Sequence, residues 1–391
     1  MVTPTISLRS FLVRKWFGVL PAAVVITLSS LTDAALIYNV EARMYSLAAL
    51  FVFTAYLAFY QIYQKNRLMD WFIFGFASLC AAYTHYYALI SVAFFYLMLL
   101  PLLRRGKEYT KRILLLYGLT VLSYIFWLYV LLKTFKRTNG SWWMTSIATF
   151  SECFDFVWGY KWLSVFAFVL FVAVTVLALK YLFQTHTLSN EALLFFAGFL
   201  SILGTIFIGL VVSHLFSPLI IPRYLFPLAH VSYLMLSLII ARFPYKELIA
   251  SALICLLLVL GIPTYQTTYQ HEKEVEQGTK ICTEFFTSGE DSIIYTNDSG
   301  WNFEFNAVNL FPEVPYIDNN NSLDSLDHSH KNTWVFWSGP LSTEQQEQIF
   351  SAGFSVQEVF SGYAFHDLFT GKFFTDPVNA TYYLYKLEAL S

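Results

Sequence analysis

Residues 71–100 read WFIFGFASLCAAYTHYYALISVAFFYLMLL, a run without Asp, Glu, Lys or Arg. A helix needs about 20 apolar residues to cross the hydrocarbon core of a bilayer. The run is therefore too long for one membrane helix and short for two. We interpret it as two short helices that meet near residues 84–87, around His85. Irregular backbone at membrane depth is tolerated mainly beside a cavity, so this junction is of functional interest.

The composition of the whole chain supports a membrane protein. Of 391 residues, 57% are hydrophobic and 13% are charged, and the mean hydropathy is +0.54. Soluble proteins carry about 25% charged residues. We predict a polytopic α-helical membrane protein with about nine spans and a small C-terminal α/β domain. The candidate spans are residues 17–38, 46–63, 71–87, 88–103, 112–133, 162–183, 191–215, 223–241 and 247–265.

The charge is divided unevenly along the chain. Residues 1–268 hold nineteen Lys and Arg and eight Asp and Glu, whereas residues 269–391 hold five Lys, no Arg and eighteen acids. We therefore predict a transmembrane domain over residues 1–268 and a soluble acidic domain over residues 269–391. Basic residues concentrate in cytoplasmic loops, and thirteen of the nineteen lie at one set of predicted helix ends. This distribution predicts a multi-pass protein of the cell membrane with an extracytoplasmic tail.

The tail has the pattern of a small sheet packed with helices. Helical spacing occurs in KEVEQGTKICTEFF and in STEQQEQIFSAGF, the second opening with Ser342 or Thr343 as the cap. No Gly-rich phosphate loop follows a predicted strand, so a nucleotide-binding domain is not predicted. The predicted strands are residues 292–298, 314–318, 332–339 and the segment YYLYKLE.

Glu41 and Arg43 stand between two long apolar runs, in IYNVEARMYSL. An ionisable group at membrane depth is costly and usually faces a cavity or a partner. Two residues apart on a helix, these side chains point away from each other. They are therefore interpreted either as groups that reach different partners in an outward-facing cavity, or as interfacial anchors beside Tyr38 and Tyr45.

Further candidates lie at the same predicted outer face. Arg223 sits in SPLIIPRYLFPL, where three prolines interrupt the helix. His85 and Arg223 each have a structural alternative, a hydrogen-bonded core histidine and a snorkelling arginine. Trp142 and Trp143, in an outer loop, either rest on the membrane surface or stack on a sugar. The DHSHK segment at residues 327–331 is interpreted as a solvated loop, and neither a metal site nor a cofactor is predicted.

Three motifs then suggest a family. YNVEARMYSL, YTHYYAL and PRYLFPL, in this order, resemble signatures of bacterial GT-C membrane glycosyltransferases of the glycosyltransferase family 39 type, which are related to protein O-mannosyltransferases and lipid A aminoarabinose transferases. The SGEDSIIYTND segment of the tail is similar to a pattern in the same family. The resemblance covers nearly the whole chain.

The resemblance implies an inverting transfer of a hexosyl or pentosyl group from a polyprenyl-phosphate donor, at the outer face of the membrane, to an envelope lipid, glycan or protein. Besides this donor and acceptor, the expected partner is the lipid bilayer, and no nucleic acid is expected. Arg43, Arg223 and His85 are the candidates for binding the donor phosphate. Tyr45, Trp142 and Trp143 are the candidates for contacting the sugar or acceptor.

The catalytic base is the part of the family pattern that is missing. Family members usually have a spanning helix and an outer loop with a catalytic Asp ahead of the segment that starts here. Asp33 and Glu41 are the carboxylates considered for the role, and Glu41 is better suited to orienting Arg43 or the donor. We therefore expect a shortened chain, or one that is not catalytic by itself.

Two other classes of function stay open. A carrier or flippase for lipid-linked sugars or another anionic substrate would also place cations near interrupted helices. A non-catalytic subunit of an envelope assembly is the other alternative. The acidic outer domain and the lack of an internal repeat favour the transferase over the carrier.

Overall fold

The computed structural model describes residues 2–38, 44–137, 147–185, 189–215, 219–289, 291–297, 301–318, 323, 326, 328–365 and 381–390. The chain divides into two compact units, Met1–Pro263 and Thr264–Ser391. The division falls five residues before the position at which the charge balance changes sign in the sequence. Each unit is described by itself below.

The first unit is built of helices. They are α1 (Val2–Phe17), α2 (Val19–Leu31), α3 (Asp33–Tyr38), α4 (Met44–Lys65), α5 (Leu68–Thr84), α6 (Tyr86–Leu99), α7 (Lys107–Arg137), α8 (Phe150–Trp158), α9 (Lys161–Thr185), α10 (Asn190–Leu215), α11 (Phe226–Ile240) and α12 (Lys246–Thr287), which contains the boundary between the units; 3-10 helices cover Leu100–Arg105 and Pro222–Leu225. In the part of the chain that is described, seven helices are long and apolar enough to cross a membrane, and α2 and α5 are shorter apolar helices. These helices indicate a multi-pass membrane protein.

The first predicted span, residues 17–38, is not one continuous helix. Thr32 adopts an extended conformation (φ −76°, ψ 145°) and separates α2 from α3. Its hydroxyl lies 3.0 Å from the Leu28 carbonyl oxygen and 2.9 Å from the Tyr233 hydroxyl. The continuous-helix prediction was wrong here because these side-chain contacts stabilise a break that apolar periodicity does not reveal.

The run at residues 71–100 forms a tight antiparallel pair of helices, as predicted. α5 ends at Thr84, α6 begins at Tyr86, and His85 alone joins them. Phe74 and Tyr96, each eleven residues from His85, pack with ring centroids 4.9 Å apart. The pair therefore folds back on itself at His85.

Polar contacts join the buried helices of the bundle. The Tyr56 hydroxyl of α4 donates to the Leu194 carbonyl of α10 at 2.7 Å. The Ser201 hydroxyl of α10 donates to the Ser91 carbonyl of α6 at 2.8 Å, and the Ser91 and Thr205 hydroxyls lie 3.2 Å apart. Such polar groups need internal partners where no water is present. These contacts fix α4, α6 and α10, the helix that follows His85 among them, against one another.

The second unit contains a five-stranded mixed sheet, counted over the residues that are described. The order β2-β1-β3-β5-β4 has parallel pairing among β2, β1 and β3 and antiparallel pairing of β5 with both β3 and β4. Aromatic and aliphatic side chains fill both faces of the sheet, as expected of strands covered on each side. Its elements are β1 (Ser292–Thr296), α13 (Trp301–Leu310), β2 (Tyr316–Asp318), β3 (Asn332–Ser338), α14 (Thr343–Ser351), β4 (Phe354–Gly362) and β5 (Tyr382–Ala389).

The four strands predicted in the tail are confirmed, but β4 and α13 were not predicted. Ser342 caps α14, with its hydroxyl accepting from the Gln345 amide, so the choice between Ser342 and Thr343 is settled. The predicted helix had continued through SAGF. Instead, Gly353 adopts a φ of +83°, which ends the helix and starts β4 at Phe354, since a positive φ is open to glycine.

A carboxylate–imidazole contact connects the start of β1 with the segment before β3. Asp291 Oδ1 lies 2.7 Å from His330 Nδ1, and Asp291 Oδ2 accepts from the Lys331 amide at 3.3 Å. The hydrogen bond from His330, helped by the Lys331 amide and by both positive charges, holds the pKa of Asp291 below its ordinary value of 3.8.

We expect Asp291→Asn to weaken this end of the sheet in a pH-dependent way. A depressed carboxyl pKa stabilises the fold above the unfolded-state pKa, and the contribution is lost as the pH falls through the folded-state pKa. Hydrogen exchange of the Asn332 amide, which donates to the Asp291 carbonyl, should be faster in the variant at pH 6. The difference should disappear once the wild-type carboxyl is protonated. Asn keeps the tolerance for the positive φ of 65°, so a difference that persists in strong acid would contradict the assignment.

Candidate functional site

Three segments that are far apart in the sequence meet in one aromatic cluster. The His85 ring centroid lies 5.6 Å from that of Tyr45 and 5.1 Å from that of Tyr224. Tyr87 completes the contact, 5.3 Å from Tyr224. Tyr45 lies in the first turn of α4, His85 joins α5 to α6, and Tyr224 lies in the 3-10 helix before α11. The structure thus brings together one residue from each motif noted in the sequence.

The conformation of His85 is fixed by its position between two helices. It has an extended conformation (φ −157°, ψ 135°), ends α5 and caps α6, with Nδ1 accepting from the Tyr87 amide at 3.2 Å. In the neutral ring this acceptor role leaves the proton on Nε2, which is then a donor. The side chain is 8% exposed. Sequence reasoning that placed His85 at a helix break is confirmed, and the break also fixes the tautomer.

Arg223 lies beside this ring cluster. Pro222 starts the 3-10 helix Pro222–Leu225, where a missing N–H is tolerated. The Arg223 Cζ atom is 5.9 Å from the Tyr224 ring centroid, in the range of a cation–π contact. Arg223 is 6% exposed, and the His85 ring contacts the same Tyr224 ring, with centroids 5.1 Å apart. A buried guanidinium and the imidazole therefore both contact the Tyr224 ring.

Tyr38, at the end of α3, extends the cluster toward α8 and α11. Its ring lies 5.3 Å from Tyr45 in an edge-on arrangement, 5.5 Å from Phe156 and 5.6 Å from Phe226. Tyr38 and Tyr45 are both buried. The alternative in which Tyr38 and Tyr45 join an aromatic belt at the membrane interface requires exposed rings, and it does not agree with this burial.

Asp33 is buried at the other end of α3. It is 4% exposed and starts the helix, so that five helical rises of about 1.5 Å each separate it from Tyr38 along the axis. Gly159, which ends α8 with a φ of +73°, approaches closely enough that an added Cβ would be 3.0 Å from the Asp33 amide nitrogen. The structure thus places Asp33 at the end of α3 that is opposite Tyr38, against the end of α8.

Four of the candidate residues lie outside the described part of the chain: Glu41, Arg43, Trp142 and Trp143. The ends of α3 and α4 that flank residues 39–43 both reach the cluster, through Tyr38 and Tyr45. Sequence reasoning missed Tyr87 and Tyr224, although each is next or nearly next to a residue that it selected. An aromatic residue beside a candidate cation was the available signal.

His328 and His330, the histidines of the DHSHK segment, have local structural contacts. His328 stacks on Phe354 with centroids 4.2 Å apart and pairs through Nε2 with the Ala352 carbonyl at 2.7 Å. His330 pairs with Asp291. Over the described ranges, no group of three His, Cys, Asp or Glu side chains is placed to hold a metal ion.

Comparison with known protein families, with characterised proteins and with solved structures gives no match.

Proposed function

We propose that the protein transfers a sugar from a polyprenyl-phosphate donor to a cell-envelope acceptor, at the outer end of a nine-span bundle of the GT-C type. The aromatic cluster and Arg223 form the donor site. The observation that carries the proposal is the meeting of Tyr45, His85 and Tyr224 in one cluster, with the buried Arg223 guanidinium over the Tyr224 ring.

Charge is the first support for a phosphate-bearing donor. An ionisable side chain at membrane depth usually faces a cavity or a partner, and Arg223 is a buried cation at the edge of the aromatic cluster. Arg suits a phosphate because its fork of N–H groups makes two parallel hydrogen bonds. With the Nε2–H of His85 nearby, the site offers donors to a single anionic group. Arg43, in the segment between Tyr38 and Tyr45, is proposed to add a second guanidinium.

The aromatic rings suit the other part of the donor. Sugar rings present C–H faces that pack on aromatic side chains, and a polyprenyl chain is wholly apolar. Tyr224 is partly exposed, whereas Tyr45 and His85 are buried. On these grounds we assign the sugar contact to the partly exposed Tyr224, whose ring lies 6.4 Å from that of the buried Tyr45. Trp142 and Trp143 are the candidates for the acceptor side.

The proposed chemistry is a single displacement at the anomeric carbon. An acceptor hydroxyl attacks that carbon, the bond from carbon to the phosphate oxygen breaks, and polyprenyl phosphate leaves as an anion. Arg43, Arg223 and His85 stabilise the charge that develops on the leaving oxygen. The hydroxyl proton goes to a carboxylate, for which Asp33 and Glu41 are the candidates in this chain.

The direct test is binding of a polyprenyl-phosphate sugar to the purified chain in neutral detergent. We expect saturable binding of the charged donor and none of the free polyprenol, since the alcohol lacks the phosphate. Equal retention of both lipids would show that only the apolar chain is recognised and would overturn the proposal. Stoichiometric transport into vesicles without hydrolysis of the donor would favour the carrier alternative.

The orientation is a separate prediction. With thirteen of nineteen basic residues of the membrane half at the opposite ends of the predicted spans, the C-terminal unit should lie outside the cytoplasm. A C-terminal alkaline phosphatase fusion should be active and a fluorescent-protein fusion dark. The reverse pair of results would place the aromatic cluster on the cytoplasmic side, where it would meet a different pool of donors.

A further inference from the structure

A second charged surface lies at the end of α4 and α5 away from the aromatic cluster. It is formed by two segments that the sequence separates by more than thirty residues. We call it the basic cluster: Lys65 and Arg67 in the first segment, with Arg104, Arg105, Lys107, Lys111 and Arg112 in the second. All of these side chains are exposed except that of Arg112, which is half-buried.

Only part of this charge is neutralised within the protein. Arg67 makes two hydrogen bonds to the Asp70 carboxylate, at 2.9 and 3.1 Å. Arg112 pairs with Glu108 at 2.7 Å. Among the described residues, the other five cations of the basic cluster form no ion pair, and their side chains face solvent.

The two segments are fixed against each other by specific contacts. Arg112 Nη1 donates to the Asn66 carbonyl at 2.5 Å and to its side-chain oxygen at 3.2 Å, and the Trp71 ring N–H donates to the same side-chain oxygen at 2.8 Å. Arg105 lies over the Tyr63 ring, 5.3 Å from its centroid. The cations of both segments therefore share one preformed surface.

Exposed apolar side chains adjoin this surface on two helices. Leu68, Met69 and Phe72 begin α5 and are 62–69% exposed. Leu114 and Leu115, on the first turns of α7, are 66% and 56% exposed. Such a surface suits a lipid with an anionic headgroup, because the cations can bind the headgroup while the apolar side chains contact the acyl chains.

We propose that the basic cluster and the adjoining apolar side chains bind anionic phospholipid. The phosphodiester of the headgroup lies among Lys65, Arg105 and Lys111, and the acyl chains lie on the exposed side chains of α5 and α7. The proposal does not depend on the transferase activity, because this surface and the aromatic cluster lie at opposite ends of α5.

The test uses the full chain in neutral detergent, titrated with dioctanoyl phosphatidylglycerol or dioctanoyl phosphatidylcholine while thermal unfolding is followed. The anionic lipid should raise the unfolding temperature saturably, and the zwitterionic lipid should not. In Lys65→Gln/Lys111→Gln the apparent dissociation constant should rise roughly 30-fold, from about 1 kcal/mol for each basic residue at an anionic surface. These two side chains are exposed, so their replacement should leave the fold intact.

The matched control is Lys180→Gln/Lys246→Gln, which removes the same charge from exposed positions outside the basic cluster. It should bind the anionic lipid as the wild type does. An equal loss in the control would show a general effect of net charge and would overturn the proposal. Equal stabilisation by inorganic phosphate would overturn it too, since a lipid site needs the chains.

A second measurement needs no variant. Wild-type protein taken up into nanodiscs from vesicles of equal phosphatidylglycerol and phosphatidylcholine should retain an excess of phosphatidylglycerol over empty nanodiscs. The excess should fall at high salt, where exposed charges are screened. Retention of the two lipids in equal amounts would refute the proposal even if the double variant failed to fold.

Discussion

Arg223→Ala is expected to weaken binding of a polyprenyl-phosphate sugar by about 1.5–3 kcal/mol, the scale of a hydrogen bond to a charged group, or roughly 10- to 150-fold in the dissociation constant. The physical reason is the loss of the buried guanidinium that lies over the Tyr224 ring of the aromatic cluster. Arg223→Lys should restore only part of the affinity, because a point charge loses the forked geometry. Equilibrium binding of labelled donor to the purified chain measures the effect without requiring turnover.

The control for this prediction is Arg242→Ala. Arg242 follows the other end of α11, is exposed and pairs with Glu191, so its loss should leave donor binding unchanged. Adding Arg43→Ala to Arg223→Ala should weaken binding further if residues 39–43 face the same site. Full-strength donor binding by that double variant, with normal expression, would refute the donor site.

Phe336→Ala should destabilise the C-terminal unit by about 3–5 kcal/mol, the usual cost of removing a buried Phe side chain. Phe336 on β3 is 0% exposed, and its ring lies 4.8 Å from Tyr382, 5.2 Å from Phe365 and 5.3 Å from Phe303. Truncation opens a cavity. The neighbouring rings belong to separate elements of the structure, so they cannot all move to fill it. Hydrogen exchange of the β1 and β3 amides, in the full chain, gives the free energy of opening.

Phe350→Ala is the matched comparison, since it removes the same atoms from a side chain that is 67% exposed. Its expected effect is within about 0.5 kcal/mol. If both variants changed the exchange rates equally, Phe336 would not be a central part of the core.

The elements that were predicted correctly carry strong local signals. The length of the run at residues 71–100 requires a break, and the one histidine of the run, His85, lies near its centre. Ser342 and Thr343, both capping residue types, predicted the start of α14 to within one residue, and the structure shows the capping box between Ser342 and Gln345. β4 carries no comparable signal, because its sequence FSVQEVFSG continues from a helix and lacks a strict alternation.

The candidate site was predictable only in part, for a different reason. His85 and Arg223 were selected because an ionisable side chain in an apolar run needs an explanation. The contact of Tyr224 with His85 and Tyr45 depends on how α4, α6 and α11 pack. Packing of this kind is decided by many side chains along all three helices, such as Tyr56 of α4 against Phe95 of α6, whose ring centroids lie 5.2 Å apart. A single sequence contains those side chains but does not say which of them touch.

The one-residue junction at His85 has a consequence for how the chain enters the membrane during synthesis. α5 has 17 residues, fewer than a lone spanning helix usually needs, whereas α6 with the following 3-10 turn reaches 20. Only His85 lies between the two helices. While α6 is still in the ribosome, the C-terminal end of α5 therefore has no polar loop to hold it at the far surface of the membrane. We therefore expect the insertion machinery to admit the two helices together as a preformed pair, so that apolar residues of α6 decide whether α5 is retained in the bilayer at all.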